Sequence, residues 1–529
     1  MRHTLPAAIG FVLLAGVLAV ADTPAGTTIG DAVSAARVRA DVEFLADDLL
    51  EGREAGTRGY DLAALYAVAQ LKTAGFEPAA DDGSYLQQVP FIEFTPVEPS
   101  LRISAGGTET EFALPDEALV EPSAWQERVD VTAPLVFAGY GVTAPELGYD
   151  DYAGLDVKGR IVVLLNNAPG RFPSEPRAHY ASTEQKIVNA ARHGAVGVIG
   201  TLSEADEARY PWNRVVAGSA KPDLVWMKSD GTPGTGDPRI TARALVSPKH
   251  SAKLFAAAPM TFADVVAAAQ RGDAVKGFAL NATATIRVRS THRRITSPNV
   301  VAKLPGSDPA LAKTSVVLTA HLDHTGVAPD GDGDRINNGA YDNALGSAIL
   351  FEVARALGKG PRPKRSVVVA LVTAEEKGLL GSDYLAQHLP KSAGRVIANV
   401  NLDMPVMLAP SRDVVAFGAE NSSLEAVVRR AAQAAGYELS PDPMPEQNIF
   451  VRSDQYSFVK QGVPAVYLMP GFTAADAAVN GAQVFGGFLA RHYHRPSDDL
   501  SLPMPLDAIA RFAQVNLLIA REIADSSET

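Results

Sequence analysis

Acidic and histidine side chains recur in this chain directly after short apolar runs, at residues 316–318, 367–372 and 396–402. Runs of this kind indicate buried strands. Side chains at the carboxyl ends of parallel strands converge on one crevice of an open α/β sheet, even when they are far apart in sequence. The pattern therefore predicts a metal-dependent hydrolase. The residues concerned are His321, Asp323, Asp342, Glu375, Glu376, Asp403 and His494.

These side chains offer nitrogen and oxygen ligands but no thiolate, because the chain contains no cysteine. Such a set suits Zn²⁺, with Mn²⁺ or Co²⁺ as alternatives. One imidazole, one carboxylate and one shared carboxylate per metal would form a two-metal site with open positions for water and substrate. We therefore expect two Zn²⁺ ions per chain.

The individual positions leave several roles open. His321 and Asp323 leave a strand end on the same face, so one can bind metal while the other steadies it. Asp342 lies in a glycine-flanked turn before a helix, where it could cap the helix or bridge two metals. Glu375 and Glu376 diverge as neighbours, so one acid can bind metal while the other is a general base.

Composition and the N-terminus limit the partners and the compartment. The 529 residues are 47% hydrophobic and 20% charged, and a net charge of −12 argues against nucleic acid or anionic lipid as a main partner. Residues 1–21 have the layout of a secretory signal, with a charged start, an apolar stretch and cleavage after Ala21. We expect a periplasmic or extracellular protein with no stable membrane anchor after cleavage. A permanent anchor is the alternative, but the apolar stretch is short for a span.

The order of elements predicts an α/β protein interrupted by a smaller domain. Residues 30–110 begin with helical patterns, and residues 290–529 alternate between strand and helix. This alternation favours a mostly parallel mixed sheet with helices on both faces. Residues 122–277 differ, because they contain short β-rich runs with many glycines and prolines. We predict a β-rich inserted domain there, which supplies none of the metal-binding residues and covers the mouth of the site.

In its motifs the chain resembles the co-catalytic di-zinc aminopeptidases of metallopeptidase family twenty-eight. That family also includes glutamate carboxypeptidase relatives and the catalytically inactive transferrin receptor. Residues 122–277 resemble a protease-associated domain, although that likeness rests more on pattern than on chemistry. The motifs of the peptidase resemblance, in chain order, are residues 321–324, 339–343, 375–376, 401–404, 452–454 and 493–498.

The resemblance implies the zinc exopeptidase fold and one role for each site residue. It implies that Glu375 is the general base and that Tyr493 stabilises the tetrahedral intermediate. It also implies that Asp323 contacts the metal ligands rather than the metal itself. It also implies a cis peptide bond between Asp342 and Asn343. Tyr341 departs from the family pattern, since many members have a second acid there. The implied metal ligands are His321 and Asp403 for one zinc, Glu376 and His494 for the other, and Asp342 as the bridge.

We therefore expect a secreted aminopeptidase that removes N-terminal residues from peptides with a free N-terminus, through a water activated by two zinc ions. A dipeptidase or carboxypeptidase on the same site is the nearest alternative, since Arg452 and Arg495 could bind a terminal carboxylate. A non-catalytic, receptor-like binding protein is the alternative from another class. The intact ligand set and base argue against it. The sequence leaves the oligomeric state, the physiological metal and the preferred N-terminal residue open.

Overall fold

The computed structural model of the chain describes residues 33–272, 275–329 and 333–527. The predicted signal sequence, residues 1–21, lies outside the described residues. Among the residues that are described, no helix combines the length and apolar character that a membrane span requires.

Capping residues set the ends of the first helices. Ser34 and Thr57 each accept a hydrogen bond from a backbone N–H in the first turn of the helix that follows. Gly75, at φ +82°, follows the end of the second helix, as the sequence predicts. The described α-helices are α1 Ala35–Leu45, α2 Arg58–Thr73, α3 Ser174–Ala181, α4 Thr183–Arg192, α5 Glu204–Arg209, α6 Trp212–Ser219, α7 Phe262–Gln270, α8 Leu345–Lys359, α9 Leu380–Gln387, α10 Leu424–Ala434, α11 Gln455–Lys460, α12 Gly481–Arg491 and α13 Leu506–Asp525.

Most strands belong to one continuous sheet, in the order β17-β16-β18-β15-β13-β14-β12-β5-β8-β9-β11-β4. The described strands are β1 Glu77–Pro78, β2 Leu86–Ala105, β3 Thr108–Glu111, β4 Ala118–Val120, β5 Arg128–Phe137, β6 Thr143–Ala144, β7 Tyr149–Asp150, β8 Ile161–Leu165, β9 Gly197–Thr201, β10 Asp223–Trp226, β11 Ala242–Val246, β12 Phe278–Leu304, β13 Thr314–His321, β14 Ser366–Val372, β15 Arg395–Asn401, β16 Asp413–Phe417, β17 Glu438–Ser440 and β18 Ala465–Pro470.

The part of the sheet that carries the predicted site is an α/β layer structure, as expected from the sequence. Strands β14, β13, β15 and β18 are parallel neighbours, while β12 and β16 pair antiparallel at either side. Side chains of β13 and β14 alternate between two cores. One core contains α1, α2, α8, α10 and α13, and the other contains α9 and α11. Helices on both faces bury both sides of these strands, which explains their unbroken apolar runs.

The inserted part has its own core and departs from the sequence prediction in two ways. It is not simply β-rich: strands β5, β8, β9 and β11 are parallel and helices α3 to α7 accompany them. Only α4 was evident from the sequence, because α3, α5 and α6 have eight residues or fewer. Its core also extends beyond residues 122–277, to Leu101 in β2 and Val288 in β12. The reason is that β2 and β12 form one long antiparallel ribbon that passes through both cores.

A close helix contact gives a test of the packing between α8 and α2. A Cβ atom on Gly358, within α8, would lie 1.8 Å from the carbonyl oxygen of Ala74, just after α2. Gly486, within α12, has no atom within 4 Å of the same position. We expect Gly358→Ala to lower the free energy of unfolding by about 1–3 kcal/mol through overpacking. Gly486→Ala should raise it by about 0.5–1 kcal/mol, because alanine loses less backbone entropy in a helix. Urea unfolding measures both, and equal shifts would contradict the close contact.

Candidate metal centre

The structure gathers the five predicted metal-binding residues at the carboxyl end of the parallel strands. They come from five separate segments, so the tertiary fold alone brings them together. His321 is the last residue of β13, Asp342 lies just before α8, Glu376 follows β14, Asp403 follows β15 and His494 follows α12.

Asp342 lies between the two imidazole rings. Its Oδ1 is 3.3 Å from His321 Nε2, and its Oδ2 is 3.3 Å from His494 Nε2. Asp403 Oδ1 lies 3.0 Å from the same nitrogen of His321. On the other side, Glu376 Oε2 lies 2.9 Å from His494 Nε2. The side chains therefore form two imidazole–carboxylate pairs that share Asp342, which is the grouping that the resemblance implies.

The side chains also fit metal ions by their chemistry and burial. His321, Glu375 and Asp403 bring ligand atoms within 4.8 Å of one another, and so do His321, Asp342 and Glu376. Buried carboxylates this close together repel unless a cation lies among them. Imidazole nitrogens and carboxylate oxygens are zinc ligands. The residues present therefore suit one or two zinc ions.

In the metal-free protein, protons on the imidazoles supply the missing positive charge. Burial by itself lowers the pKa of His321, but the carboxylates of Glu375 and Asp403 hold it well above its usual value. Burial also lowers the pKa of His494, but Glu376 and Asp342 outweigh it and raise this pKa to about 10. The pKa of Glu376 is correspondingly lowered to about 2 by the two histidines beside it, although its burial acts in the opposite direction. Glu376 is therefore ionised and ready to bind metal.

Glu375 differs from its neighbour Glu376 in its environment. Burial raises the pKa of Glu375 well above its usual value, and the charge of Asp403 adds to this effect, while His321 opposes it. Its side chain lines a small pocket of about 50 Å³ together with Asp342 and Asp403. A carboxylate with a raised pKa beside a metal site can take and return a proton. The two adjacent acids therefore lie in different environments, as a base and a ligand would.

Asp323 supports the site in a way that the sequence did not indicate. Its carboxylate accepts hydrogen bonds from the backbone N–H groups of Glu375 and Glu376, at 3.1 and 3.3 Å. The distal nitrogen of His321 faces the backbone carbonyl of Asp323, at 3.1 Å, rather than its carboxylate. Asp323 therefore orients the ring with its main chain and the two acids with its side chain.

Sequence reasoning missed four supporting residues. Arg53 is buried and its guanidinium donates to the backbone carbonyls of Leu45, Leu322, Asn338 and Gly339, so it ties the N-terminal segment to two loops of the site. Asp498 accepts backbone N–H groups of Tyr341 and Asp342, at 2.9 and 3.0 Å. Asn343 donates to Leu402 and accepts from Met404, at 3.0 and 3.2 Å. The Asp342-Asn343 peptide bond is cis.

His324 is the fourth, and it touches the predicted ligands directly. Its Nδ1 lies 2.6 Å from Glu376 Oε1 and 3.9 Å from Asp342 Oδ2. Its Nε2 is buried and has no hydrogen-bond partner among the residues that the structure describes. Its position three residues after His321 could have marked His324 as a site residue. The spacing alone does not indicate which of the two rings faces the predicted metal ligands. Tyr341, by contrast, points away and donates its hydroxyl hydrogen bond to the carbonyl of Pro503.

The mouth of the site is formed jointly by both parts of the chain. A cavity of about 860 Å³ opens onto Glu376 and His494, and Tyr210 and Arg214 of the inserted part line it. His494 is about one-third exposed there, with a side-chain accessibility of 35%. The ring of Tyr493 stacks on that of His494, with centroids 3.8 Å apart. The insert covers the mouth without contributing any of the five predicted ligands.

Part of the chain is similar to known metallopeptidases. Residues 299–520 match the model of peptidase family M28. A "Probable zinc metalloprotease" of Pyrenophora tritici-repentis is 36% identical over 133 residues, which cover 23% of this chain and 26% of that protein. A "Probable leucine aminopeptidase 2" of Aspergillus fumigatus is 28% identical over 231 residues, 41% of this chain and 43% of that one. The likeness to peptidase family M28 therefore covers residues 299–520, which are less than half of this chain.

The fold has a relative among solved structures. The aminopeptidase from Aneurinibacillus sp. strain AM-1 superposes with a TM-score of 0.52 at 22% identity, over 94% of this chain and 96% of that chain. This likeness supports the α/β fold with its mixed sheet. The chain spans only about a quarter of the first curated relatives that it matches, 26% of the Pyrenophora tritici-repentis protein.

The protonated imidazoles give a prediction about zinc binding to the metal-free protein. His321 and His494, with raised pKa values, carry protons at pH 7 that bound metal must displace. We expect zinc binding at pH 7 to release about two protons per chain, and zinc affinity to rise with pH up to about pH 10. Calorimetry in buffers of different ionisation enthalpy measures the release. His494→Gln should release about one proton fewer. Equal release by both proteins would contradict the assignment of His494.

Proposed function

We propose that this protein is a zinc-dependent aminopeptidase with two metal positions. The observation that carries the proposal is the placement of Asp342, with one oxygen facing His321 and the other facing His494. A carboxylate shared in this way suits two metals about 3.5–4 Å apart. Its support from relatives is the peptidase family M28 match over residues 299–520.

The bound metals would polarise the scissile carbonyl and activate the attacking water. Glu375 takes the proton of that water and passes it to the leaving amine, since it lines the pocket beside the predicted ligands Asp342 and Asp403. Tyr493 donates a hydrogen bond to the oxygen on which negative charge develops. Burial holds the pKa of Tyr493 well above its usual value, so its phenol remains a donor.

The small pocket beside Glu375 suggests the side chain that is accepted at the N-terminus. This pocket, of about 50 Å³, suits an apolar side chain. Its apolar lining comes from Met404, Ile449, Tyr467, Met469, Phe485 and Leu489.

The carboxypeptidase alternative depends on a cation that is free to bind a terminal carboxylate. Each terminal nitrogen of Arg452 already donates to a phenol oxygen, that of Tyr210 at 3.1 Å and that of Tyr493 at 3.2 Å. These contacts engage Arg452, so the carboxypeptidase alternative depends on Arg495, which lines the cavity at the mouth of the site. The acidic cluster and the net charge of −12 favour an ammonium group near the scissile bond.

Secretion is proposed from the sequence alone, on the signal-like residues 1–21. N-terminal sequencing of the exported protein should begin at Asp22. Retention of Met1 in the mature protein would contradict the proposal.

The adjacent acids should have separable roles. We expect Glu375→Gln to keep its zinc while kcat falls by about 10²–10⁴-fold, because only the base is lost. Glu376→Gln should lose zinc as well, since this side chain pairs with His494 and His324. Metal analysis of the purified variants, together with kcat for alanine p-nitroanilide, separates the two effects. The same metal loss in both variants would overturn the assignment.

A blocked N-terminus tests the aminopeptidase proposal directly. We expect the zinc-loaded protein to hydrolyse alanine and leucine p-nitroanilides, and N-acetylation of the same compounds to abolish turnover. The matched control is N-acetyl-Ala-Ala, which has a blocked amine and a free carboxylate. If it is cleaved as fast as Ala-Ala, the protein is a carboxypeptidase. If no compound of the panel is cleaved, the receptor-like reading replaces both.

A further inference from the structure

One contact between the inserted part and the site has no role in the chemistry described so far. Tyr210 follows α5 of the insert, and its hydroxyl accepts a hydrogen bond from Arg452 Nη1 at 3.1 Å. The same hydroxyl donates to Gln447 Oε1, at 3.2 Å. Tyr210 thus binds two residues of the peptidase part at the mouth of the site.

Arg452 continues this chain of contacts to Tyr493. Its Nη2 donates to the phenol oxygen of Tyr493, at 3.2 Å. The guanidinium carbon lies 6.0 Å from the ring centroids of both Tyr210 and Tyr493. The charged group is thus held between two phenols, and its recorded hydrogen-bond partners among the described residues are their oxygens. Its orientation depends on both.

The direction of these hydrogen bonds determines what Tyr493 can do. Because its oxygen accepts from Arg452, its own proton must point elsewhere, and among the described residues no acceptor is recorded for it. Tyr493 lines the small pocket with Glu375, where substrate would lie. The phenol is therefore oriented to donate into the pocket, and the cation behind it strengthens that donation.

We propose that Tyr210 is a positioning residue, through which the inserted domain orients Arg452 and so directs the Tyr493 hydroxyl at the developing oxyanion. The inference rests on the proposed function, in which Tyr493 is the oxyanion donor. Without the Tyr210 hydroxyl, Arg452 Nη1 loses its acceptor, and the guanidinium can turn toward the carboxylates of the cluster. With the Tyr210 hydroxyl in place, the insert would both cover the active site and contribute to the orientation of its groups.

The test is a double-mutant cycle measured with leucine p-nitroanilide and the zinc-loaded full chain. Tyr210→Phe keeps the ring and removes only the hydroxyl of a residue that is 36% exposed, so the variant should fold normally. We expect its kcat to fall about tenfold with KM and zinc content unchanged. In a Tyr493→Phe background the same substitution should change kcat by less than about twofold, because its effect passes through Tyr493. Equal factors in both backgrounds, or an unchanged kcat, would overturn the proposal.

A binding measurement gives a readout that is independent of turnover. A phosphinic dipeptide analogue carries the tetrahedral oxyanion, whereas leucine does not. Calorimetry should show about tenfold weaker binding of the phosphinate to Tyr210→Phe, with leucine affinity unchanged. Equal weakening for both ligands would indicate a general structural defect and refute the inference.

The matched control is Tyr180→Phe. Tyr180 is also a tyrosine of the insert, in α3, and its hydroxyl bonds to Glu146 of the same part. We expect it to change none of these quantities, and a loss equal to that of Tyr210→Phe would count against a specific role for Tyr210. If wild-type protein cleaves nothing, the proposed function fails and the inference with it. An active wild-type protein with an unaffected Tyr210→Phe variant refutes the inference alone.

Discussion

The burial of several carboxylates at one end of the sheet is the constraint on which the rest of this structure depends. Asp342, Glu376 and Asp403 lie within about 3 Å of imidazole nitrogens, at distances of 2.9 to 3.3 Å. Uncompensated charges of this kind would be costly to bury. Bound zinc, or the protonated imidazoles of His321 and His494 in its absence, balances them. The arrangement is therefore stable only when positive charge is present, which couples metal binding to the stability of the site.

The scaffold meets this constraint by fixing the backbone around the acids. Asp323 and Asp498 each accept two backbone N–H groups from the segments that carry the ligands. Arg53 binds carbonyl groups of the neighbouring loops. Such contacts hold the ligands in place before any metal binds, so less conformational entropy is lost on binding. The segment between α1 and α2 thus places Arg53 against these loops.

The inserted part is integrated with the peptidase part rather than tethered to it. The β2–β12 ribbon runs through both cores, and α3 packs on the peptidase part, where His179 Nδ1 lies 2.6 Å from the Tyr456 hydroxyl. Residues of the insert, held in this way, line the cavity of about 860 Å³ at the mouth of the site. This attachment also allows residues of the insert, such as Tyr210, to lie against the catalytic groups with defined geometry.

The sequence alone determined the α/β class and the candidate ligands, because strand ends, apolar runs and side-chain types are local properties. Tertiary structure decided the rest. Loops from different strands meet at the site, and their arrangement determines two of its features. One is the nitrogen of His321 that faces Asp403, and the other is the binding of main-chain N–H groups by Asp323. His324, Arg53 and Tyr210 act through partners more than 50 residues away, and no local pattern encodes such pairs. The domain boundary was misplaced for the same reason, since only sheet pairing shows that two strands serve two cores.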